Sequence, residues 1–495
     1  MKKCILKPAY SLRDFFLLPG FTDDHCNAQS VSLRTRLCGC GAGHIFLELP
    51  VLSAAMQAVT GVRMATALAE LGGAGVIPLG DSIEDQCKKV RDVKHYKAGF
   101  QTDMITFSPS RTLAKVKEVI DNTGFTTFPV TDTGVFHGRL IGVITDKDFD
   151  PRYDLERRID ERMKDEIQAG SEIEDLEEAN RLVIHYGRGF LPIISREGTL
   201  QSFVFKKDLD KHMRHPEASV DARKRLIVGA AVSTHPEDRP RIRELVESEV
   251  DFLLIDASDG FTVYQKRTLE WIKEKFEIPV IGGNVVTADA FHMLAECEVD
   301  GVKIGLGIGS GCTTQEVRAI GRGQATAIME IARARDTYAG DHRYIPLIAD
   351  GGMRTPSDIA IALAMGADTV MMGSFLAGFA ESPGRVNKVE GEIVKEYWME
   401  GSARAHNYRR YSQTLDRFFE EGVEGYVPFR GSIYDSLPVT RRRLEASLSA
   451  AGASTIEDFH KVAVLELQSA MSLKDGRIHD MIPASPAART WVNVD

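Results

Sequence analysis

The residues best suited to chemistry lie in one glycine-rich stretch, KIGLGIGSGCTTQEVRAIGRGQATA, from Lys303 to Ala327. Glycines 305, 307, 309, 311 and 321 surround Ser310, Cys312, Thr313 and Thr314. Glycine lets a backbone turn sharply and approach a ligand closely, and successive bare peptides can aim amides or carbonyls at an ion. A lone cysteine is most often a small buried hydrophobe. Cys312 differs because hydroxyls and glycines flank it, the polar and open setting in which a thiol becomes a nucleophile. The chain has seven cysteines, and the other six lack such neighbours. Three further stretches end apolar runs with polar groups: Asp256 and Ser258 in LLIDASDG, Asn284 in GGNVV and Asp350 in IADGG. Asp350 could cap the next helix, but a carboxylate at a strand end followed by two glycines suits a ligand better. The first three residues are compatible with turn chemistry alone.

Elements must hold these residues at one place. Eight short runs are apolar on both faces, as strands buried in a parallel sheet must be. They are Leu49–Ala55, Gly73–Leu79, Arg225–Val232, Asp251–Ser258, Ile278–Val286, Gly301–Gly307, Tyr344–Gly352 and Asp368–Ser374. Each leads into a polar or glycine-rich loop and then a segment of helical period, such as PSDIAIALAMGAD. Eight such units predict an α/β fold, a (β/α)8 TIM barrel whose chemistry sits at the C-terminal ends of the strands. A doubly wound sheet is the competing architecture, and the absence of a dinucleotide fingerprint favours closure.

Roughly 150 residues separate the second run from the third, so a module is inserted there. The expected division is 1–91 for the first part of the barrel, 92–217 for the insertion and 218–495 for the rest. The insertion contains a repeat. TFPVTDTGVFHGRLIGVITDKDFD, Thr127 to Asp150, parallels GFLPIISREGTLQSFVFKKDLD, Gly189 to Asp210, with Asp148 and Asp208 equivalent. Each copy reads as helix, proline-led strand, turn, strand and an acidic helix start. The pair resembles tandem CBS domains, which implies a purine nucleotide effector between the copies. Thr145 and Asp148 match that family's Thr-x-x-Asp, the acid being placed for ribose hydroxyls. Phe205 stands at the threonine position of the second copy. A purely structural insertion is the plainer alternative.

The chain of 495 residues is 43% hydrophobic and 27% charged, with net charge −10. This is globular composition. It speaks against nucleic acid as the main partner, and no apolar run long enough for a membrane span occurs. Few cysteines, with no metal spacing and no leader pattern at the start, place the chain in a reducing cytoplasm.

The loop around Cys312 resembles the catalytic loop of IMP dehydrogenases, close to G-x-G-x-G-S-x-C-x-T. The resemblance to the IMP dehydrogenase/GMP reductase family extends to barrel order, insertion point and a long segment from Lys395 to Gly431, rich in charge and aromatics, that resembles a mobile flap. The family's Ser-Ser-Pro-Met-Asp is here Ser53-Ala54-Ala55-Met56-Gln57, and Gly311 replaces an isoleucine or valine, which would loosen the loop. The resemblance implies NAD-dependent oxidation of IMP to XMP, the committed step toward guanine nucleotides. Cys312 would attack C2 of IMP, and a covalent thioimidate would then be hydrolysed. Ser310, Gly352, Gly373, Ser374 and Tyr397 would hold the 5′-phosphate and Asp350 the ribose. Met56, Glu400 and Gly401 would contact the base. Asp256, Ser258, Asn284 and Gly305 would line the nicotinamide side of NAD. Arg410 and Tyr411 match the flap's catalytic pair. With Thr314, Glu421 would relay a proton. Carbonyls of Gly307, Gly309 and Cys312 would bind potassium, helped by Asp475, Gly476 and Arg477 of a neighbouring subunit, although that segment departs from the family's Glu-Gly-Gly. A homotetramer or octamer is implied in the same way.

Two rivals share these features. A GMP reductase would use the same loop for NADPH-dependent reductive deamination of GMP. A nucleotide-sensing protein with an inactive barrel would leave the Cys312, Thr314, Asp350 and Arg410 set without a purpose.

Overall fold

A computed structural model of the chain describes residues 4–40, 43–94, 96, 100–101, 104–123, 125–173, 176–187, 189–206, 215–412 and 414–476. The eight apolar runs each contain one strand: β1 Val51–Ser53, β2 Ala74–Ile77, β3 Val228–Val232, β4 Phe252–Ile255, β5 Val280–Val285, β6 Gly301–Ile304, β7 Leu347–Asp350 and β8 Thr369–Met372. They close into a barrel in the order β3 to β8, then β1 and β2, every pairing parallel. All but one of the residues in these strands are buried, the exception being Asp350. Side chains pointing inward fill the barrel and those pointing outward meet helices, so no strand face is left for water.

Helices α1 Val62–Glu70, α2 Ile83–Lys94, α3 Arg239–Glu247, α4 Val263–Lys275, α5 Ala288–Glu296, α6 Gln324–Asp341, α7 Pro356–Ala364 and α8 Ile433–Ala450 surround it. Their starts follow from local sequence. Thr355 caps α7, its hydroxyl accepting from Asp358 N at 3.4 Å, with Asp358 Oδ2 accepting from Thr355 N in return and Pro356 at the first turn. A hairpin, Thr35–Cys40 with Gly43–Leu47, closes the end of the barrel opposite the strand C-termini. Its Leu37 is fully buried, and Thr35 donates to the Asp368 carbonyl just ahead of β8 at 2.8 Å.

The chain divides into two compact units, one of which comprises Tyr96–Pro216 with Ala222–Arg225. Helix α2 runs past the expected start of the insertion at residue 92. Its last residue is anchored in the barrel unit: buried Lys94 Nζ meets Asp221 at 2.9 Å and Asp251 at 2.7 Å. Burial against this cation's partial compensation leaves the Asp251 carboxyl pushed up to about 6.

In the second unit, helix Leu113–Thr123 with strands Thr127–Thr131 and Leu140–Thr145 has a counterpart in Leu176–His185, Phe190–Ile194 and Leu200–Phe205. The copies meet where Leu140 N donates to Gly198 O and Leu200 N to Gly138 O, both at 3.0 Å. Phe136, Val143, Leu200, Phe203 and Phe205 form a shared apolar cluster. Phe205, standing where a threonine was sought, is part of that core. The acidic helix start expected after the first copy is absent: turns follow Thr145. Asp148 instead accepts from the Thr145 amide and hydroxyl at 2.7 and 2.6 Å and pairs with Lys164 at 2.8 Å. Asp208 and Asp210 lie outside the described residues.

Candidate active site

The strand C-termini open into a cleft with about 780 Å³ of empty space. Met56, Ser258, Asn284, Gly305, Gly307, Gly309, Ser310, Cys312, Thr314, Asp350, Gly352, Gly373, Ser374, Tyr397, Arg410 and Tyr411, all expected at the site, line it. They come from the C-terminal ends of β5 and β7, from the loops after β1, β4, β6, β7 and β8, and from the flap, so only barrel closure brings them together.

Below Asp350 lies a buried polar network. Lys303, 1% exposed inside β6, donates to Asn284 Oδ1 and to Asp350 Oδ2 at 2.7 Å. Asn284 Nδ2 donates to the same Asp350 oxygen at 3.0 Å and to the Gly305 carbonyl at 2.7 Å. Burial alone would raise the Asp350 pKa, but Lys303 and Asn284 outweigh it and hold the carboxyl below its ordinary value. Asp350 is thus a fixed anion whose Oδ1 is open to the cleft. Gly305 is required beside it: a Cβ there would meet the Asp350 carbonyl at 2.1 Å, and its φ is +137°.

Cys312 is half-buried, its sulfur 3.1 Å from Thr314 Oγ1. Thr314 Oγ1 donates to Glu421 Oε2 at 2.8 Å, and Arg318 Nη1 donates to Glu421 Oε1 at 3.2 Å. Thiol, hydroxyl, carboxylate and guanidinium therefore form one continuous chain from the Cys312 loop to the flap. Arg318 was not foreseen. It lies four residues after Thr314 on the short helix Thr314–Arg318, a spacing that puts both on one face. Lys303 was also missed, although one lysine inside an apolar strand was a readable signal. At the other side of the loop, Ser310 Oγ and Ser374 Oγ are 2.7 Å apart. A Cβ on Gly373 would meet Tyr397 Oη at 3.1 Å. These hydroxyls and bare peptides converge as an anion site requires.

The flap is more ordered at its ends than a lid from 395 to 431 suggests. Val386–Val389, Glu392–Trp398 and Glu424–Pro428 form an antiparallel sheet, and the irregular part runs between its last two strands. Its helix Tyr408–Tyr411 brings Arg410 Nη1 within 3.3 Å of Asp256 Oδ2, and Ser258 N donates to Arg410 O at 3.0 Å. Flap residues here occupy groups expected to face nicotinamide. Asp256 itself is 1% exposed beneath the arginine, not part of the cleft wall. Burial would lower the Arg410 pKa, but Asp256, Tyr411 and Asp350 more than reverse this and raise it. Arg410 is therefore held protonated, against its use as a base.

Two expected base contacts are placed otherwise. Glu400 is fully buried and turned to Gln57 N at 2.7 Å and Asn407 Nδ2 at 2.8 Å, with burial raising its pKa. Gly401 packs against Tyr411 and Glu421. Met399, not foreseen, lines the cleft in their stead. The expected cation ligands are also partly engaged. Gly307 O accepts from Gln315 Nε2 at 2.8 Å and Gly309 O from Cys312 N at 3.0 Å. Asp475 and Gly476 end the helix Ala470–Asp475 beside Phe16. Arg477 lies outside the described residues. Among those residues no cluster of three or more His, Cys, Asp or Glu could hold a metal.

Eight parallel strands closed around a core, with a loop thiol at their C-terminal mouth, define the class: a (β/α)8-barrel enzyme. The chain belongs to the IMP dehydrogenase / GMP reductase family, whose domain model matches residues 9–479. It is similar to inosine-5′-monophosphate dehydrogenase of Tritrichomonas foetus, 38% identical over 97% of this chain and 98% of the relative. It is also similar to the proteins of that name from Toxoplasma gondii, 33% identical over 95% of each, and Schizosaccharomyces pombe, 34% identical over 94% and 91%. A solved structure of a cysteine-to-alanine variant of GMP reductase from Trypanosoma brucei, in complex with guanosine 5′-monophosphate, superposes with a TM-score of 0.82 at 28% identity, covering 96% of this chain and 99% of that one.

Proposed function

We propose that this chain is an NAD-dependent IMP dehydrogenase that converts IMP, NAD⁺ and water to XMP, NADH and a proton. The observation that carries the reading is the continuous Cys312–Thr314–Glu421–Arg318 chain, whose Cys312 and Thr314 end lines the same cleft as Arg410 and Asp350. Asp350 fixes the ribose of IMP through its open oxygen, and the Ser310, Gly352, Gly373, Ser374 and Tyr397 group takes the phosphate. The Cys312 thiolate adds to C2 of the purine. NAD⁺ supplies the hydride acceptor. Loss of hydride from C2 leaves a thioimidate on Cys312, and water then attacks C2 while the thiolate departs. The covalent step divides one difficult oxidation into two easier ones.

The hydrolytic step needs a proton acceptor. Arg410 is a poor one beside Asp256, so Thr314 and Glu421 take the proton while Arg410 orients the water. Arg410 also sits on Asp256 and Ser258, which supports a flap and a dinucleotide that use the same contacts in turn. Two of the three carbonyls expected for potassium each accept one hydrogen bond within the loop, and no step is assigned to a cation. A homotetramer or octamer, a purine nucleotide effector on the inserted unit and a cytoplasmic location complete the reading. No helix among the described residues is long and apolar enough to cross a membrane.

The test is rapid mixing of IMP and NAD⁺ with wild type and Arg410→Ala, following NADH. The variant should release a near-stoichiometric burst and then turn over at least about a hundredfold more slowly, as loss of one oriented group at a transition state costs. Equal loss of burst and turnover removes Arg410 from the hydrolytic step. The Trypanosoma brucei structure favours a second reading, GMP reductase. That reading takes over if wild type makes no NADH from IMP but consumes NADPH with GMP.

A further inference from the structure

Glycines 309, 311 and 422 all face one side chain. A Cβ built on Gly309 would meet Met399 Cε at 3.3 Å, one on Gly311 would meet Met399 Cγ at 3.0 Å and Sδ at 3.3 Å, and one on Gly422 would meet Met399 Cβ at 2.4 Å. Met399 is 8% exposed, and part of it lines the cleft. The backbone around it is laddered. Met399 N donates to Val423 O at 3.2 Å, Val423 N donates to Gly311 O at 3.0 Å, and Cys312 bridges Gly422. The slot therefore lies where the catalytic loop and the flap base run side by side as bare peptide. The Cβ position of Gly309 is also 3.4 Å from Cys312 Cβ, so the slot borders the nucleophile.

A glycine at 311 in place of a branched residue was expected to loosen the loop. The space is instead filled from a segment almost ninety residues away. An unbranched thioether is suited to an irregular gap between backbones. A valine at 311 would add two methyl groups beyond a Cβ that already touches Met399, so the two cannot share the slot without displacing the loop.

We propose that Met399 is a positioning residue for Cys312: its side chain supplies the volume missing at 311 and so sets where the nucleophilic loop sits against the flap. The proposal rests on Cys312 being the nucleophile, and predicts a size exchange between positions 311 and 399. The experiment is a double-mutant cycle of Met399→Ala, Gly311→Val and both together, with Met399→Leu as the volume-conserving control. One readout needs no substrate: the rate at which iodoacetamide alkylates Cys312, resolved by peptide mass. The other is kcat and KM with IMP and NAD⁺.

Met399→Ala should speed Cys312 alkylation and lower kcat, each about tenfold, with KM for IMP less affected, and Gly311→Val should lower kcat comparably. The double variant should return to within about threefold of wild type, and Met399→Leu should stay there. If the two single effects simply multiply in the double variant, or if Met399→Ala leaves alkylation unchanged, the proposal is overturned. Met399→Val carries the same cycle should the alanine variant not fold, as judged by circular dichroism. Failure of wild type to oxidise IMP would remove the proposed function while leaving the alkylation cycle readable.

Discussion

Asp350 in the barrel and Asp148 in the inserted unit are both read from sequence as carboxylates for ribose hydroxyls, and their surroundings differ. Asp350 takes Lys303 and Asn284 on Oδ2 only, leaving Oδ1 to an open cleft. Asp148 has both oxygens engaged, Oδ2 by Thr145 and Oδ1 by Lys164. Support from beneath makes a carboxylate into a fixed acceptor, because the compensating cation is buried and faces away from the ligand. At Asp148 both oxygens are already taken by protein groups, so neither is left free. Lys164 is half-exposed, however, and water screens its end of the pair, so the ion pair is worth on the order of 1 kcal/mol although the Asp148 side chain is buried. A nucleotide could displace it at little cost, whereas nothing need be displaced at Asp350.

The largest effect should come from the barrel mouth. Cys312→Ala should abolish both hydride transfer and adduct formation, since no other thiol among the described residues lines the cleft, while IMP still binds. Mass spectrometry of wild type with IMP and NAD⁺ should locate the purine on the Cys312 peptide, and an adduct on any other cysteine breaks the assignment. Asp350→Asn comes next. It removes the charge that Lys303 compensates and weakens ribose binding, so kcat/KM should fall on the order of a hundredfold, the equivalent of losing about 2–3 kcal/mol of charged hydrogen bonding. Steady-state kinetics with IMP would show it, and an unchanged kcat/KM would remove Asp350 from the substrate.

The inserted unit should respond far less. Excision must spare α2 and the Lys94–Asp221–Asp251 cluster, so the cut belongs after His95 and before Glu217, with a short glycine–serine link. Turnover should stay within about threefold, because loss at such junctions is tolerated when the core is complete. Any response of activity to purine nucleotides should vanish. A folded but inactive product would make the unit part of the catalytic machinery. The smallest effect is expected for Lys164→Ala. Stability by urea denaturation should change by less than about 1 kcal/mol. Calorimetric titration with adenine and guanine nucleotides should detect tighter binding, because Lys164 occupies one oxygen of Asp148. Weaker binding would mean that Lys164 is itself a ligand for the phosphate.

All eight barrel strands were legible in the sequence because parallel strands buried on both faces leave a local trace, short apolar runs ending in glycine and polar residues. The loop around Cys312 was legible for a similar reason, since glycines and hydroxyls crowd one stretch of chain. The start of the insertion was less so: residues 92–94 carry no composition shift, and only the burial of Lys94 between two aspartates assigns them to the barrel.

What tertiary structure alone decided is which side chains share a space. Glu400 and Met399 are neighbours in sequence, yet one turns into a buried pocket with Gln57 and Asn407 while the other faces the cleft. Arg410 is distinguished from Arg404 and Arg409 by its partner. Arg404 pairs with Glu396 and Arg409 reaches Asp238, but Arg410 meets Asp256 at the barrel mouth. Composition and periodicity record which faces are apolar, because burial acts on each residue separately. Partnerships across a closed barrel depend on directions and distances of a few ångströms between segments distant in sequence, and no local pattern encodes those.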